Sequence, residues 1–258
     1  MVCGWGAGLP THRQAVLATA SFHDTDPLMI TILFDIDGTL IQTGGAGFAA
    51  IRQACQSLFG EPVSVPKVPV HGRTDQGILT DVFASLERDY AQHRDAFHEH
   101  YWARLPEALG QRQGQVLPGV LPLLETLHSR QDVALGLLTG NGQRAAEIKL
   151  DHFGLSDFFG FGGFGDHHAD RSDVAKLARE AAAHHLGDAF REDRLWVVGD
   201  TVADIRCARA IDARVVAVET GGAGSETLRQ SQPDAQVATL AEQATFLRHV
   251  CDRDQPAR

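Results

Sequence analysis

The 258-residue chain is poor in positive charge. Its 23 lysines and arginines stand against 33 aspartates and glutamates, for a net charge of −10. Non-specific nucleic-acid binding needs a basic surface, so that class of partner is not expected. A site for one phosphorylated metabolite is not excluded, because it needs only a few local cations and a metal. Cysteine is sparse as well. Cys3, Cys55, Cys207 and Cys251 are far apart and form no Cys-x-x-Cys pair, so neither a zinc knuckle nor a redox dithiol is suggested. Cys55 and Cys207 fall in apolar helical patterns, as buried thiols do, and a reducing cytoplasm is the expected compartment. No apolar run approaches the roughly 20 residues that span a bilayer, so no membrane partner is expected. Internal repeats and low-complexity segments are also missing. What remains, 43% hydrophobic and 22% charged, is the composition of a globular protein of one or two domains.

Residues 1–28 show little periodicity. They read as a flexible extension, or as residues upstream of a native start at Met29. The Ile-Thr-Ile-Leu-Phe run at 30–34 is a buried strand that ends in Asp35-Ile36-Asp37-Gly38-Thr39. Helical patterns follow over 46–59, 74–86 and 89–109, separated by a proline-rich loop at 61–69. The pattern then alternates. Helices are predicted over 120–129, 143–153, 172–185, 202–210 and 241–250. Strands are predicted over 133–138, 158–164, 195–198 and 214–218. Gly154 is placed as a helix stop. Solid apolar strands alternating with helices specify an α/β fold, a parallel sheet covered on both faces. Ligands in such sheets bind beyond the carboxyl ends of the strands. Asp35 and Asp37, Thr139 and Asn141, the 166–171 stretch, and Asp200 all stand at such ends.

Carboxylates two residues apart on an extended chain point the same way. Their repulsion must be offset by a cation or a shared proton. With Asp200 and Asp204 added, the donors are all oxygen, which favours magnesium over zinc. Gly38, Gly140 and Gly199 allow close backbone approach to an anion. Thr139 offers a hydroxyl donor, and Arg171 a fixed cation able to bridge phosphate and carboxylate. This set suits phosphoryl transfer, which needs alignment and charge stabilisation.

The segments Asp35-Ile36-Asp37-Gly38-Thr39, Leu138-Thr139-Gly140-Asn141 and Gly199-Asp200-Thr201-Val202-Ala203-Asp204, in this order and strand context, resemble the haloacid dehalogenase superfamily, and within it the phosphoglycolate phosphatase-like branch. The resemblance covers nearly all of residues 29–220. It implies a Rossmann-like core at 29–45 and 118–258, with a mobile helical cap inserted at 46–117. It implies a magnesium-dependent phosphatase acting on a small phosphate monoester, with phosphoglycolate as the first guess. Asp35 would be the nucleophile. Asp37 would protonate the leaving oxygen and then activate water, while its main-chain carbonyl binds magnesium. Thr139, Gly140 and Asn141 would hold the phosphoryl oxygens. Asp200 would ligate magnesium directly, and Asp204 directly or through water. The family's third motif is usually a lysine; here Arg171 is assigned, with Lys176 as its rival. Arg73, in the cap loop His71-Gly72-Arg73-Thr74-Asp75, would meet a carboxylate or second anion of the substrate.

Plainer readings stand beside these. Thr201 and Asp204 match a helix capping pattern, Thr74 a helix start and Thr139 a helix cap. Asp166, His167, His168 and Asp170 read as a solvated loop rather than a metal cluster. A sugar phosphomutase uses the same acids, and a non-catalytic binding protein on this scaffold is the reading from another class. The oligomeric state, monomer or homodimer, stays open.

Overall fold

The computed structural model describes residues 29–60 and 63–251. The expectation for residues 1–28 lies outside them, as does Cys3. Strand β1 (Ile30–Phe34) lies inside a six-stranded parallel sheet with β4 (Val133–Leu138), β5 (Phe161–Gly163), β6 (Leu195–Gly199), β7 (Arg214–Val218) and β8 (Ala235–Val237), in the order β5-β4-β1-β6-β7-β8. Ile32 sits opposite Leu135 of β4 on one side and Trp196 of β6 on the other. Every residue of β1 is buried, because both faces are covered. Side chains alternate across a strand. Ile30, Ile32 and Phe34 therefore join one apolar core with α4 (Val120–His128), α5 (Gln143–Phe153) and α9 (Gln243–Val250). Leu33 joins the opposite core with α6 (Arg171–Leu186) and α7 (Val202–Ala210).

From β1 the chain runs outward through β4 to β5, then returns to β6 beside β1 and runs outward the other way. The strand order thus reverses between β1 and β6. At such a switch point the connections leave in opposite directions and open a crevice. Asp35 follows β1 and Asp200 follows β6, so the two stand at the mouth of that crevice.

Between β1 and β4 are inserted α1 (Ala46–Phe59), α2 (Asp75–Ser85) and α3 (Tyr90–Gln111). These helices gather around a separate apolar cluster. Ala46, Ala50 and Ala54 recur every four residues on one face of α1 and are fully buried, in the same cluster as Phe97, Tyr101 and Leu105 of α3. The chain enters and leaves this lobe through a two-stranded antiparallel ribbon, β2 (Ile41–Gln42) and β3 (Gln115–Val116), with Ile41 opposite Val116.

The elements differ from the sequence expectations mainly in length. The strand expected over 158–164 shortens to β5, because Ser156–Phe158 closes into a 3-10 turn. The final helix starts at Gln243 rather than Ala241. The ribbon, β8 and α8 (Ser225–Gln230) were not expected. Gly154 ends α5 in the left-handed conformation, as its placement required. No helix among the described residues is long and apolar enough to cross a membrane.

Candidate active site

Asp35 leaves β1 with its N–H donated to the Val198 carbonyl of β6, 2.9 Å away, which holds it against the neighbouring strand end. Asp200, and Asp204 in the first turn of α7, come from that neighbour. One oxygen from each of Asp35, Asp200 and Asp204 lies within 4.8 Å of the others, and all three side chains are buried. Asp200 is placed by two donors, Thr39 Oγ1 at 3.3 Å and the Gly222 N–H at 3.1 Å. Gly38 turns the chain beneath it at φ +91°, and a Cβ there would strike the Asp200 carboxylate. Only glycine meets both demands.

Three buried carboxylates are expensive to ionise together. Burial, the largest influence, pushes the Asp35 carboxyl up to about 8; the Arg171 guanidinium opposes this, while Asp204, Asp200 and Asp37 add to it. Burial and then Asp204 push Asp200 up to about 7. Arg171 is the compensating cation. It is the first residue of α6, 7% exposed, and its guanidinium is 2.5 Å from Asp204 Oδ1 and 3.3 Å from Asp35 Oδ1. Burial opposes its charge, but Asp204 and Asp35 outweigh this and hold it as a cation. Asp204 also closes a capping box: its Oδ2 accepts from the N–H and hydroxyl of Thr201. The capping pattern of Asp204 is therefore observed, and the same side chain also stands beside Asp35 and Asp200. A carboxylate oxygen has two lone pairs, so Oδ1 retains one for a cation.

Asp37 turns its side chain elsewhere. Its Oδ2 accepts from Asn141 Nδ2 at 2.8 Å and from Lys149 Nζ at 2.6 Å. Asn141 Nδ2 also donates to Thr139 Oγ1 at 2.8 Å. Thr139 does not cap a helix; it is fully buried at the end of β4, and α5 begins at Gln143. Lys149 was not anticipated. It lies four residues after Ala145 on the buried face of α5, and a lysine in an apolar helical stripe was the available signal.

The remaining expected residues divide. Lys176 is exposed and pairs with Asp173 at 2.9 Å, so Arg171 alone of the two rivals reaches the carboxylates. Arg73 lines the cavity, but its guanidinium is anchored within the helical lobe, 2.7 Å from Asp81 and 3.1 Å from the Gly77 carbonyl. Thr74 caps α2, accepting from the Gly77 N–H at 3.1 Å. In the 166–170 loop, Asp166 accepts from the first N–H of α5 and Asp170 caps α6. That loop anchors helix ends and shows no gathered metal ligands among the described residues.

The sheet edge and the helical lobe enclose a cavity of about 530 Å³, floored by Asp35, Asp37 and Asp200 and walled by Phe48, Ile51 and Tyr101 of the lobe. The lobe docks on the core through apolar packing of α5 against its cluster and through backbone hydrogen bonds. The Asp75 N–H donates to the Gly140 carbonyl at 2.7 Å, and the Gln76 N–H to the Gly165 carbonyl at 3.1 Å. In return the Gly142 N–H donates to Asp75 Oδ2 at 2.8 Å. A Cβ on Gly140 would land on the Arg73 carbonyl, so this approach requires glycine. Burial, partly offset by Lys149 and the Gly142 N–H, raises the Asp75 carboxyl to about 6.

Known proteins agree with this architecture. The haloacid dehalogenase-like hydrolase family matches residues 32–209. The phosphoglycolate phosphatase of Cereibacter sphaeroides is 29% identical over 191 residues, covering 71% of this chain and 82% of its own. The pyrophosphatase PpaX of Halalkalibacterium halodurans is 25% identical over 218 residues, covering 79% and 90%. The solved haloacid dehalogenase-like hydrolase SP0104 of Streptococcus pneumoniae superposes with a TM-score of 0.61 at 22% identity, over 85% of this chain and 98% of that one, and shares the fold. The matched span runs from β1 through α7 and contains every residue of the carboxylate cluster, so the chain belongs to the haloacid dehalogenase-like hydrolase family, within its phosphoglycolate phosphatase-like branch.

Proposed function

We propose that the chain is a magnesium-dependent phosphatase that hydrolyses a small phosphate monoester through a phosphoaspartate on Asp35. The observation that carries this reading is the gathering of Asp35, Asp200 and Asp204 within 4.8 Å of one another, with the buried Arg171 paired to Asp35 and Asp204. Asp35 and Asp200 both have raised carboxyl pKa values. A divalent cation relieves that repulsion, and the all-oxygen donor set suits magnesium. Asp35, Asp200 and the main-chain carbonyl of Asp37 would hold it, with Asp204 beside them. When bound, the ion neutralises charge on the phosphoryl oxygens and lets Asp35 ionise.

In the first step Asp35 attacks phosphorus and the ester oxygen leaves, taking a proton from Asp37. Arg171, the Thr139 hydroxyl and the amides of Gly140 and Asn141 stabilise the equatorial oxygens. In the second step Asp37, now a base, removes a proton from water as the water attacks the phosphoaspartate, and Asp35 is regenerated. Residues 46–117 act as a cap on the core of 29–45 and 118–258. Closure through Asp75 and Gln76 shields the intermediate from bulk water. The name carried by relatives in this branch makes phosphoglycolate the first substrate to test. The buried thiols Cys55 and Cys207 suit a reducing cytoplasm. The test is phosphate release across a panel of phosphorylated metabolites, with magnesium or with EDTA, beside Asp35→Asn. Magnesium-dependent release that Asp35→Asn abolishes supports the proposal; release that survives either change contradicts it.

A further inference from the structure

Lys149 is a charged residue that none of the family motifs uses. Its side chain is 6% exposed, on the helix that follows the Thr139-Gly140-Asn141 turn. An ammonium is buried only with partners, and the partners here define what it does. Nζ donates to Asp37 Oδ2 at 2.6 Å and to Asn141 Oδ1 at 2.6 Å. Lysine has donors and no acceptor, so it must face the oxygen of the Asn141 amide. That fixes the amide with its nitrogen toward Asp37 Oδ2, at 2.8 Å, and Thr139 Oγ1. Asp37 Oδ2 thus receives two donors from one clamp. An oxygen so engaged has no direction left in which to donate a proton to a substrate.

Resting on the phosphatase reading, we infer that Lys149 is the positioning residue of the acid–base step: together with Asn141 it locks Oδ2 of Asp37 and leaves Oδ1 as the oxygen that hands the proton to the leaving group. The Asp37 side chain is 40% exposed on the loop after β1, with Lys149 its one ion-pair partner among the described residues. Without the clamp the carboxylate has other rotamers to populate. A misplaced general acid harms only reactions that need a proton on the leaving oxygen. An alkoxide needs it; a nitrophenolate leaves without it.

The test compares kcat/KM on two monoesters, p-nitrophenyl phosphate and an alkyl phosphate (phosphoglycolate, or the aliphatic ester that the panel shows turned over fastest). This parameter reports the steps up to departure of the leaving group and excludes hydrolysis of the phosphoaspartate. For Lys149→Met, kcat/KM on the alkyl ester falls about 10²-fold or more, the range of general acid catalysis, and on the nitrophenyl ester less than about tenfold. The ratio of the two does not depend on the fraction of enzyme folded. Lys149→Gln, which keeps a donor, is the second variant and falls between wild type and Lys149→Met. Equal losses on both esters, or no loss, would overturn the inference while leaving the phosphatase reading intact. A wild type that releases phosphate from neither ester overturns the phosphatase reading and this inference with it.

Discussion

Loading magnesium onto Asp35 and Asp200 should expel protons, in an amount that the structure sets. Burial and neighbouring carboxylates push Asp35 up to about 8 and Asp200 up to about 7, from the ordinary 3.8. At pH 6 both therefore carry their protons in the metal-free protein. A metal ligand must be deprotonated, so binding at pH 6 releases between about one and two protons. Apparent affinity then climbs between about tenfold and a hundredfold per pH unit from pH 5 to 7, and levels off above about pH 8. Titration calorimetry at pH 6 in two buffers of different ionisation enthalpy counts the protons directly. Stability follows with the opposite sign for the metal-free protein. Its raised carboxyl groups bind more protons folded than unfolded between about pH 4 and 8, so stability is lost as pH rises through that window. Magnesium restores it, and its effect on Tm is larger at pH 8 than at pH 5. Release of less than about half a proton at pH 6, or an affinity flat from pH 5 to 8, would mean that Asp35 and Asp200 are not the protonated ligands of the ion.

Further outcomes follow from the same geometry. Arg171→Ala leaves buried carboxylates unpaired and destabilises the fold by about 3–5 kcal/mol in a denaturant titration, with kcat down about 10²–10³-fold. Lys176→Ala, at an exposed pair, changes stability by less than about 0.5 kcal/mol and leaves kcat/KM at wild type. A large loss there would return the third-motif role to Lys176. Gly140→Ala drives a methyl into the Arg73 carbonyl; overpacking destabilises by about 1–3 kcal/mol, and KM should rise because the lobe cannot seat, as steady-state kinetics would show.

The sheet core was legible because burial on both faces writes itself as unbroken apolar runs. Ile30–Phe34, Val133–Leu138 and Leu195–Gly199 all emerge as strands whose polar ends meet. Arg171 was legible because the polar 166–171 stretch follows the strand expected over 158–164 and stands just ahead of the next predicted helix. The short pieces were not. The ribbon Ile41–Gln42 with Gln115–Val116 is two residues a side, too brief for any period, and its pairing joins segments that only the closed fold brings together. The Arg73–Asp81 pair needed the path of the loop and helix α2 in space, which spacing alone does not give. Lys149 hid for a different reason: its place in the apolar stripe of α5 says only that it points inward, and the meeting of α5 with the loop after β1 shows that Asp37 is what it meets.

In the proposed reaction Asp35 accepts the phosphoryl group. That step is tested most directly by acid-quenching the enzyme during turnover of a monoester and mapping the modified peptide by mass spectrometry. One phosphoryl group is expected on the peptide that contains Asp35, removed by hydroxylamine and missing from Asp35→Asn. A phosphoryl group on another residue, or active turnover with no covalent species on Asp35, would contradict it.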